Sequence, residues 1–464
     1  MGEISPQLAD NEAWVDQTFE KCDDILHRQV YLGQGRQEGL LVYVEVAVSN
    51  LMLEEHVIGL SDVQPLKSYE EGKAALLAGN GLLFLDGDTN CYKISSKGYP
   101  GMGISQAETE KVLRGSKEGF SDSVKSNTAL VRKRLRDTRL KVEEYYVGVR
   151  SHTLVQVLYM DDLVHEELLT EVKERLEKFE IDGILDSGML EQLTEDTWYS
   201  PFPQYQTTER PDRTVQEILN GKVAVLCDNS PEALILPGNF NSFMESSEDW
   251  YHRFEMASFL LLLRYLAVLM TTVLPGLYLA VIRFHTQVLP TNLILSFAEA
   301  REGVPFSSVV ELIFLELSFE LIREAGVRIP GSLGNAIGIV GGLVIGQAAV
   351  EANLVSPIVV MIVALTELGS LVVPSEEFAS AFRLLKYGFL ILGGYLGIYG
   401  MALGAYVTVG HLAGLLSFGV PYLGVANGDG VWRLPFRMRK MRPLYARKEQ
   451  RIRLKERNRK EKSQ

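Results

Sequence analysis

The chain has 464 residues, 47% of them hydrophobic, a formal net charge of −13 and a mean hydropathy of +0.06. These are the averages of an acidic soluble protein of two or three domains. Its three cysteines, Cys22, Cys91 and Cys227, lie far apart without paired spacing, which argues against a zinc site, a CxxC redox motif and a disulfide framework. With no phosphate loop, no GxSxG, no HExxH and seven histidines lacking metal spacing, no enzyme and no cofactor are expected.

The averages hide a split. Apolar residues crowd between Met256 and Phe418, and most charge lies before and after. The sequence therefore predicts an α+β soluble N-terminal region of two small subdomains followed by an all-α polytopic transmembrane domain. The boundaries are 1–98 and 99–199 for the two subdomains, 200–255 for a proline-rich loop, β-hairpin and pre-membrane segment, 256–423 for the helical domain and 424–464 for a basic tail.

The N-terminus lacks a basic segment followed by an apolar run, so no signal peptide is expected and the N-terminal region should stay in the cytoplasm. Glu12 to Val30 has helical spacing, stopped by Gly33 and Gly35, and strands follow at Leu40 to Val48 and in a hairpin over Gly81 to Ser95, turned at Asp86-Gly87. Short and longer helices are expected at Ser105 to Gly115 and Gly119 to Leu135. Strands at 140–148 and 153–160 lead into a charged helix from Asp162 to Phe179, and a helix ends at Glu195. Asp161-Asp162 and Asp182 suit turn and cap positions better than a catalytic pair. Ser200 to Arg213 is too rich in proline for a regular element. A helix at 214–220 and strands at 222–227 and 233–236 come next, and Phe240 to Phe254 reads as an aromatic, amphipathic approach to a bilayer.

Met256 to Ile282 is long enough to span about 30 Å of hydrocarbon and carries Arg264 and Pro275. Thr291 to Arg301 is a short polar-faced helix. Val304 to Arg323 holds Glu311, Glu316 and Glu320, a face that lipid does not accept; Glu316 and Glu320 share a side close to Arg323, as a buried ion cluster or as carboxylates in water. Gly331 to Glu351 repeats glycine every fourth residue, at Gly334, Gly338, Gly342 and Gly346. At roughly 1 kcal/mol each in a water-exposed helix, these make sense as a face for close helix packing, expected to bring helices of several copies together around a conduit. On the other side Val340, Val344, Gln347 and Glu351 form a second stripe, which suits either a narrow aqueous path or a neighbouring helix. Glu367 stands alone in the next apolar segment, where it should be neutral, face water or find a partner, Arg264 or Arg383. From Leu384 to Phe418, Gly393, Gly397, Gly400 and Gly404 form one helix seam, in a segment so long that it must tilt or break near Gly410-His411.

From Arg433 to Gln464 there are fourteen Lys and Arg against three Asp and Glu, a surplus of +11 that leaves −24 on residues 1–432. A basic flank after the last apolar segment marks the cytoplasmic side and is drawn to anionic lipid, whereas nucleic acid is not an expected partner.

PFPQYQTTERPDR (Pro201 to Arg213), with Pro201, Pro203, Gln204, Glu209, Arg210, Pro211 and Asp212, followed by LNGKVAVLCDNSPEALILP, resembles the A subunits of the spore germinant receptor (GerA) family. The resemblance extends upstream through KVLRGSKEGFSDSVKSNTALVRKRLRD and IDGILDSG, and downstream through REGVPFSSVVELIFLELSFELIREAGVRIP, GIVGGLVIGQAAVEANLVSP and SFGVPYLG, covering roughly residues 95–443. Gly424 to Trp432 is shorter than the family's usual segment. The resemblance implies a protein of the spore inner membrane that works with a transporter-like B subunit and a lipoprotein C subunit. It also implies a homo-oligomeric ring through which ions leave on germination. If the N-terminal region and tail both face the cytoplasm, the crossings are even in number. Four are expected, at 256–282, 332–350, 356–373 and 384–407, with 291–325 outside the count.

Overall fold

The computed structural model describes residues 3–32, 37–47, 63–96, 106–327 and 333–423. The predicted helix-stopping glycines Gly33 and Gly35, the basic tail and the 424–432 segment lie outside the described residues, as do the side chains of 333–340.

The N-terminal region consists of two antiparallel five-stranded sheets. In the first, helix α1 (Leu8–Thr18) precedes strands β1 (Ile25–Leu32), β2 (Gln37–Val44) and β3 (Val63–Leu66), helix α2 (Tyr69–Leu77), and strands β4 (Gly81–Leu85) and β5 (Cys91–Ile94). The sheet order is β1-β2-β4-β5-β3. Gly87 takes positive φ (80°) in the turn expected at Asp86-Gly87, and Trp14 stacks on Tyr69 at 4.5 Å over the sheet. The helix expected over 12–30 ends at Thr18 instead. All eight residues of β1 pair with β2, which places Ile25 opposite Val44 in the core. Helical periodicity through Ile25 and Leu26 is therefore overridden by the unpaired edge that a longer helix would leave on β2.

The second unit contains α3 (Val124–Arg134), β6 (Leu140–Val147), β7 (Thr153–Met160), α4 (Glu166–Glu177), α5 (Ser187–Thr194), β8 (Gln206–Thr208), α6 (Pro211–Leu219), β9 (Val223–Cys227) and β10 (Ala233–Leu236). Its strand order is β6-β7-β9-β10-β8. One face is covered by α3 and α6, the other by α4 and α5, so the central strands β7 and β9 are buried on both sides. Among the described residues, no helix forms over 106–115. That stretch is held open as a loop because Glu209 accepts the amides of Glu108 (2.7 Å) and Thr109 (3.2 Å).

The two sheets are joined through residues 21–24. The Asp23 amide donates to Val142 O at 2.9 Å and the Val142 amide to Lys21 O at 3.1 Å. Beside this bridge Arg132 forms a fork on Asp24, with both bonds at 2.7 Å and both side chains buried.

After α7 (Phe240–Met244) come the helices α8 (Phe254–Phe284), α9 (Thr291–Glu299), α10 (Ser308–Val327), α11 (Leu333–Glu351), α12 (Pro357–Ser370) and α13 (Glu376–Gly414). Two of these, 255–284 and 376–414, are long and apolar enough to cross a membrane by length and composition. α13 is not straight. Gly397 has φ 65° and ψ −146°, a region that glycine alone readily occupies, and the chain reverses there. Phe202 touches both Phe382 and His411, residues that a straight helix would hold about 43 Å apart. The arms 376–396 and 398–414 therefore run antiparallel, and the break falls at Gly397 rather than near Gly410-His411. The glycines do not form one seam. Gly393 lies against Gly276 of α8, and Gly400 and Gly404 face Leu392 on the opposite arm, so backbones meet where a Cβ would collide.

α10, expected as a surface or re-entrant helix outside the count of crossings, packs between other helices: Leu312 and Leu315 are fully buried against α8 and α12. α9 has no buried residue.

Removing the joint between the sheets should cost much of the N-terminal region's stability. Arg132→Ala leaves Asp24 buried without its cation, and a loss of about 3–5 kcal/mol is expected. Denaturant unfolding of the full chain carrying W198F, W250F and W432F, followed by the fluorescence of Trp14, measures it.

Candidate functional site

Two features stand out: a network of buried charges between helices, and the joint that ties the helical region to the second sheet. Lys386, fully buried on the first arm of α13, lies against Glu316 of α10 and 3.0 Å from Glu367 of α12. Glu367 also pairs with Arg323, which donates to Ser370 Oγ at 3.0 Å and lies 3.5 Å from Glu320. Thr366 donates to Glu316 at 3.2 Å. Two cations, Lys386 and Arg323, thus balance two carboxylates, Glu316 and Glu367, in a low-dielectric setting where a lone charge would be expensive. Arg383 continues the network outward to Glu376 (2.8 Å) and Glu320 (3.7 Å).

The expected partners of Glu367, Arg264 and Arg383, are not its partners. Arg264 turns back to Asp249 and to Met244 O (3.1 Å), in the segment that leads into α8. Glu311, fully buried, accepts from Arg301 at 2.9 Å and from the Ser356 amide at 3.0 Å at the start of α12. Lys386 was missed by sequence reasoning, although a sign was present. Phe382, Phe389, Leu390 and Gly393 sit three, four or seven residues from it, so this lysine falls within a helix's apolar stripe.

On α11 the described glycines face helices of the same chain, not those of other copies as expected. Gly342 is against Phe319 and Gly346 against Val360. On the other side Val344, Gln347 and Glu351 are exposed. The side chain of Val340 and the placement of Gly334 and Gly338 against neighbours lie outside what is described.

The proline-rich loop is the joint. Phe202 is buried among Phe378 (6.1 Å between ring centroids), Phe382 (5.2 Å), His411 (6.1 Å) and Tyr422 (6.3 Å), so it seals both arms of α13 against the soluble region. Pro201 and Pro203 flank it. Gln204 accepts from the Asp196 and Thr197 amides (2.8 and 3.2 Å) and donates to Thr197 O (3.0 Å). Arg210, also buried, donates to Ser116 O at 2.8 Å and pairs with Asp212, which accepts from Tyr251 at 2.6 Å; Pro211 opens α6. The loop's motif residues thus hold backbone together.

Beyond α13 a small hairpin of strands β11 (Leu416–Ser417) and β12 (Val420–Pro421) straps back onto the second sheet. Ser417 donates to Gln204 O at 2.7 Å and accepts the Gly238 amide at 3.0 Å. The Phe418 amide donates to Asp196 at 2.7 Å. Its ring enters the soluble core, with Arg175 over it at 4.3 Å and Tyr205 edge-on at 5.2 Å.

Near this strap, carboxylates crowd. Burial, then the charges of Glu377, Glu195 and Glu232, push Glu191 up to about 9. Burial pushes Glu195 and Glu232 up to about 7 each.

The class that this architecture defines is a two-sheet α+β unit strapped onto a bundle of antiparallel apolar helices, most of whose outward side chains are large and hydrophobic. A profile of the family described as "Bacillus/Clostridium GerA spore germination protein" matches residues 53–445, and the chain belongs to that family. It is 36% identical to "Spore germination protein KA" of Bacillus subtilis (strain 168) over 97% of this chain and 88% of that one. It is 35% identical to "Spore germination protein B1" of the same organism over 95% and 97%, and 38% identical to its "Uncharacterized membrane protein YfkQ" over 90% and 86%. Among solved structures, the N-terminal domain of the A subunit of the Bacillus megaterium spore germinant receptor GerK3 is similar at 24% identity and a TM-score of 0.41, covering 52% of this chain and 98% of that one.

Two outcomes follow from this geometry. Lys386→Met strands Glu316, while Glu367 keeps Arg323, and should lower stability by about 3–5 kcal/mol; adding Glu316→Gln should recover part of the loss, as read by thermal unfolding in detergent. The raised carboxylates predict a pH dependence of definite sign. From the ordinary value of 4.5 up to about 7 to 9 the folded state holds protons that the unfolded chain has released, so stability falls as pH rises through that window. Glu191→Gln should flatten the upper part of this fall in a melting series from pH 5 to 9.

Proposed function

We propose that the chain is the A subunit of a nutrient receptor in the spore inner membrane, and that several copies assemble into a ring enclosing a ligand-gated ion path. Val340, Val344, Gln347 and Glu351 line that path. The observation that carries this reading is the division of labour on α11. Its described glycines are used against Phe319 and Val360 of the same chain, while Val344, Gln347 and Glu351 are left exposed on the other side. A valine ring closes such a path by excluding water, and a carboxylate ring at its mouth favours cations. The buried ion pairs serve as structural pairing that lets charged helices sit in lipid.

The transporter-like B subunit and lipoprotein C subunit enter as partners through the family resemblance. The reversal of α13 at Gly397 supports counting its two arms separately, so that with α8, α10, α11 and α12 the crossings become six in place of the four expected, still an even number that keeps the N-terminal region and the tail on the cytoplasmic side. Protease protection of the tail in sealed, oriented vesicles would contradict this topology.

A second reading, a non-conducting scaffold that clamps the B subunit and relays its signal, is favoured by the extent of the Phe202 and Phe418 joint. The two separate by experiment. On the first reading the purified chain forms closed rings and passes ions in liposomes, and Val344→Ala makes it leak without ligand. Ring formation without conductance supports the scaffold. Unchanged ion release and germination in Val344→Ala spores count against the path assigned to α11.

A further inference from the structure

We infer that Trp198 and Tyr199, at the tip of the loop between α5 and β8, form a lipid-contact surface by which the soluble region rests in the head-group layer beside α13. This inference depends on the membrane reading above. Trp198 is 82% exposed and Tyr199 70%, with their rings edge to face at 5.9 Å. Two adjacent large aromatics left in water need a reason, because each forgoes most of its burial. The loop that presents them is firmly built. Gln204 ties down the backbone of Asp196 and Thr197, and Ser200 Oγ lies 2.9 Å from His411 Nε2. The pair is therefore held next to the end of the returning arm, where Val407, Val409 and Leu416 are also exposed.

At the opposite end of the same arm Tyr395 and Tyr399, 69% and 74% exposed, straddle the turn at Gly397. From Gly397 to His411 the helical rise is about 21 Å, and to Leu415 about 27 Å. That is close to the thickness of a hydrocarbon core, about 30 Å. Trp and Tyr concentrate at both borders of such a core, with the ring among acyl chains and the N–H or O–H toward water. Two aromatic girdles at this separation, one from helices and one lent by the soluble region, fit a bilayer. A second protein copy at the tip would not account for the matching pair at the far end.

The test uses the full chain reconstituted in phosphatidylcholine vesicles with or without brominated acyl chains, which quench nearby tryptophan. In a W250F/W432F background only Trp14 and Trp198 remain, and Trp14 is packed on Tyr69 in the first sheet. Bromolipid should remove a large part of the emission, and adding Trp198→Phe should abolish that loss. Leu266→Trp, placed in the Trp198→Phe background on the outward face of α8, reports the helices independently. Quenching at 266 but not at 198 overturns the inference while leaving the membrane reading intact, whether Trp198 emits as in water or is covered by another copy. Quenching at neither position ends both.

Discussion

The reversal at Gly397 is the constraint on which the rest of the helical region depends. A side chain there would meet Phe284 and His285, and the backbone angles themselves are ones that other residues resist. Because the chain turns at that point, Leu412 and Leu415 return to the cluster that contains Phe378 and Phe382. The strap that follows then reaches the second sheet. A straight helix of 39 residues would place its end about 58 Å from its start, far from Gln204 and Asp196.

Close backbone approach sets the geometry around this turn. Gly393 against Gly276, and Gly369 against Ala267 and Thr271, let α12 and α13 lie directly on α8. With helices this near, the side chains between them meet at fixed positions, and Lys386 reaches carboxylates from two different helices. The ion network and the glycine contacts are thus one arrangement: small residues set the spacing, and the charges then select the register, since a shift of one turn would leave Lys386 or Glu367 alone.

The joint with the soluble region is built from unlike parts that reinforce one another. Phe202 supplies apolar contact with both arms, Ser417 and Gln204 supply backbone hydrogen bonds, and Phe418 carries a side chain of the strap into the core of the second sheet. Movement of the returning arm therefore cannot be independent of the unit that holds α4 and α5. Such a joint provides a physical route between the N-terminal sheets and the helices, because its contacts are packed and hydrogen-bonded rather than separated by a linker.

Local patterns in the sequence by themselves determined the division into a mixed α/β region and a helical one. They also determined most elements of the second sheet, the turn at Asp86-Gly87 and the need for a partner for Glu367, because hydropathy, alternation and turn chemistry are short-range properties. The family was legible too, through the motif around Pro201 to Asp212. Only the tertiary structure decided that Ile25 to Leu32 is a strand, that 308–327 belongs in the bundle, that Gly397 is a turn rather than one link in a seam, and that Lys386 and Arg323 are the partners of Glu367. Each of these depends on what a distant segment presents: a sheet edge to be paired, a backbone close enough to exclude a Cβ, or a charge nineteen or more residues away that must be neutralised once both helices leave water.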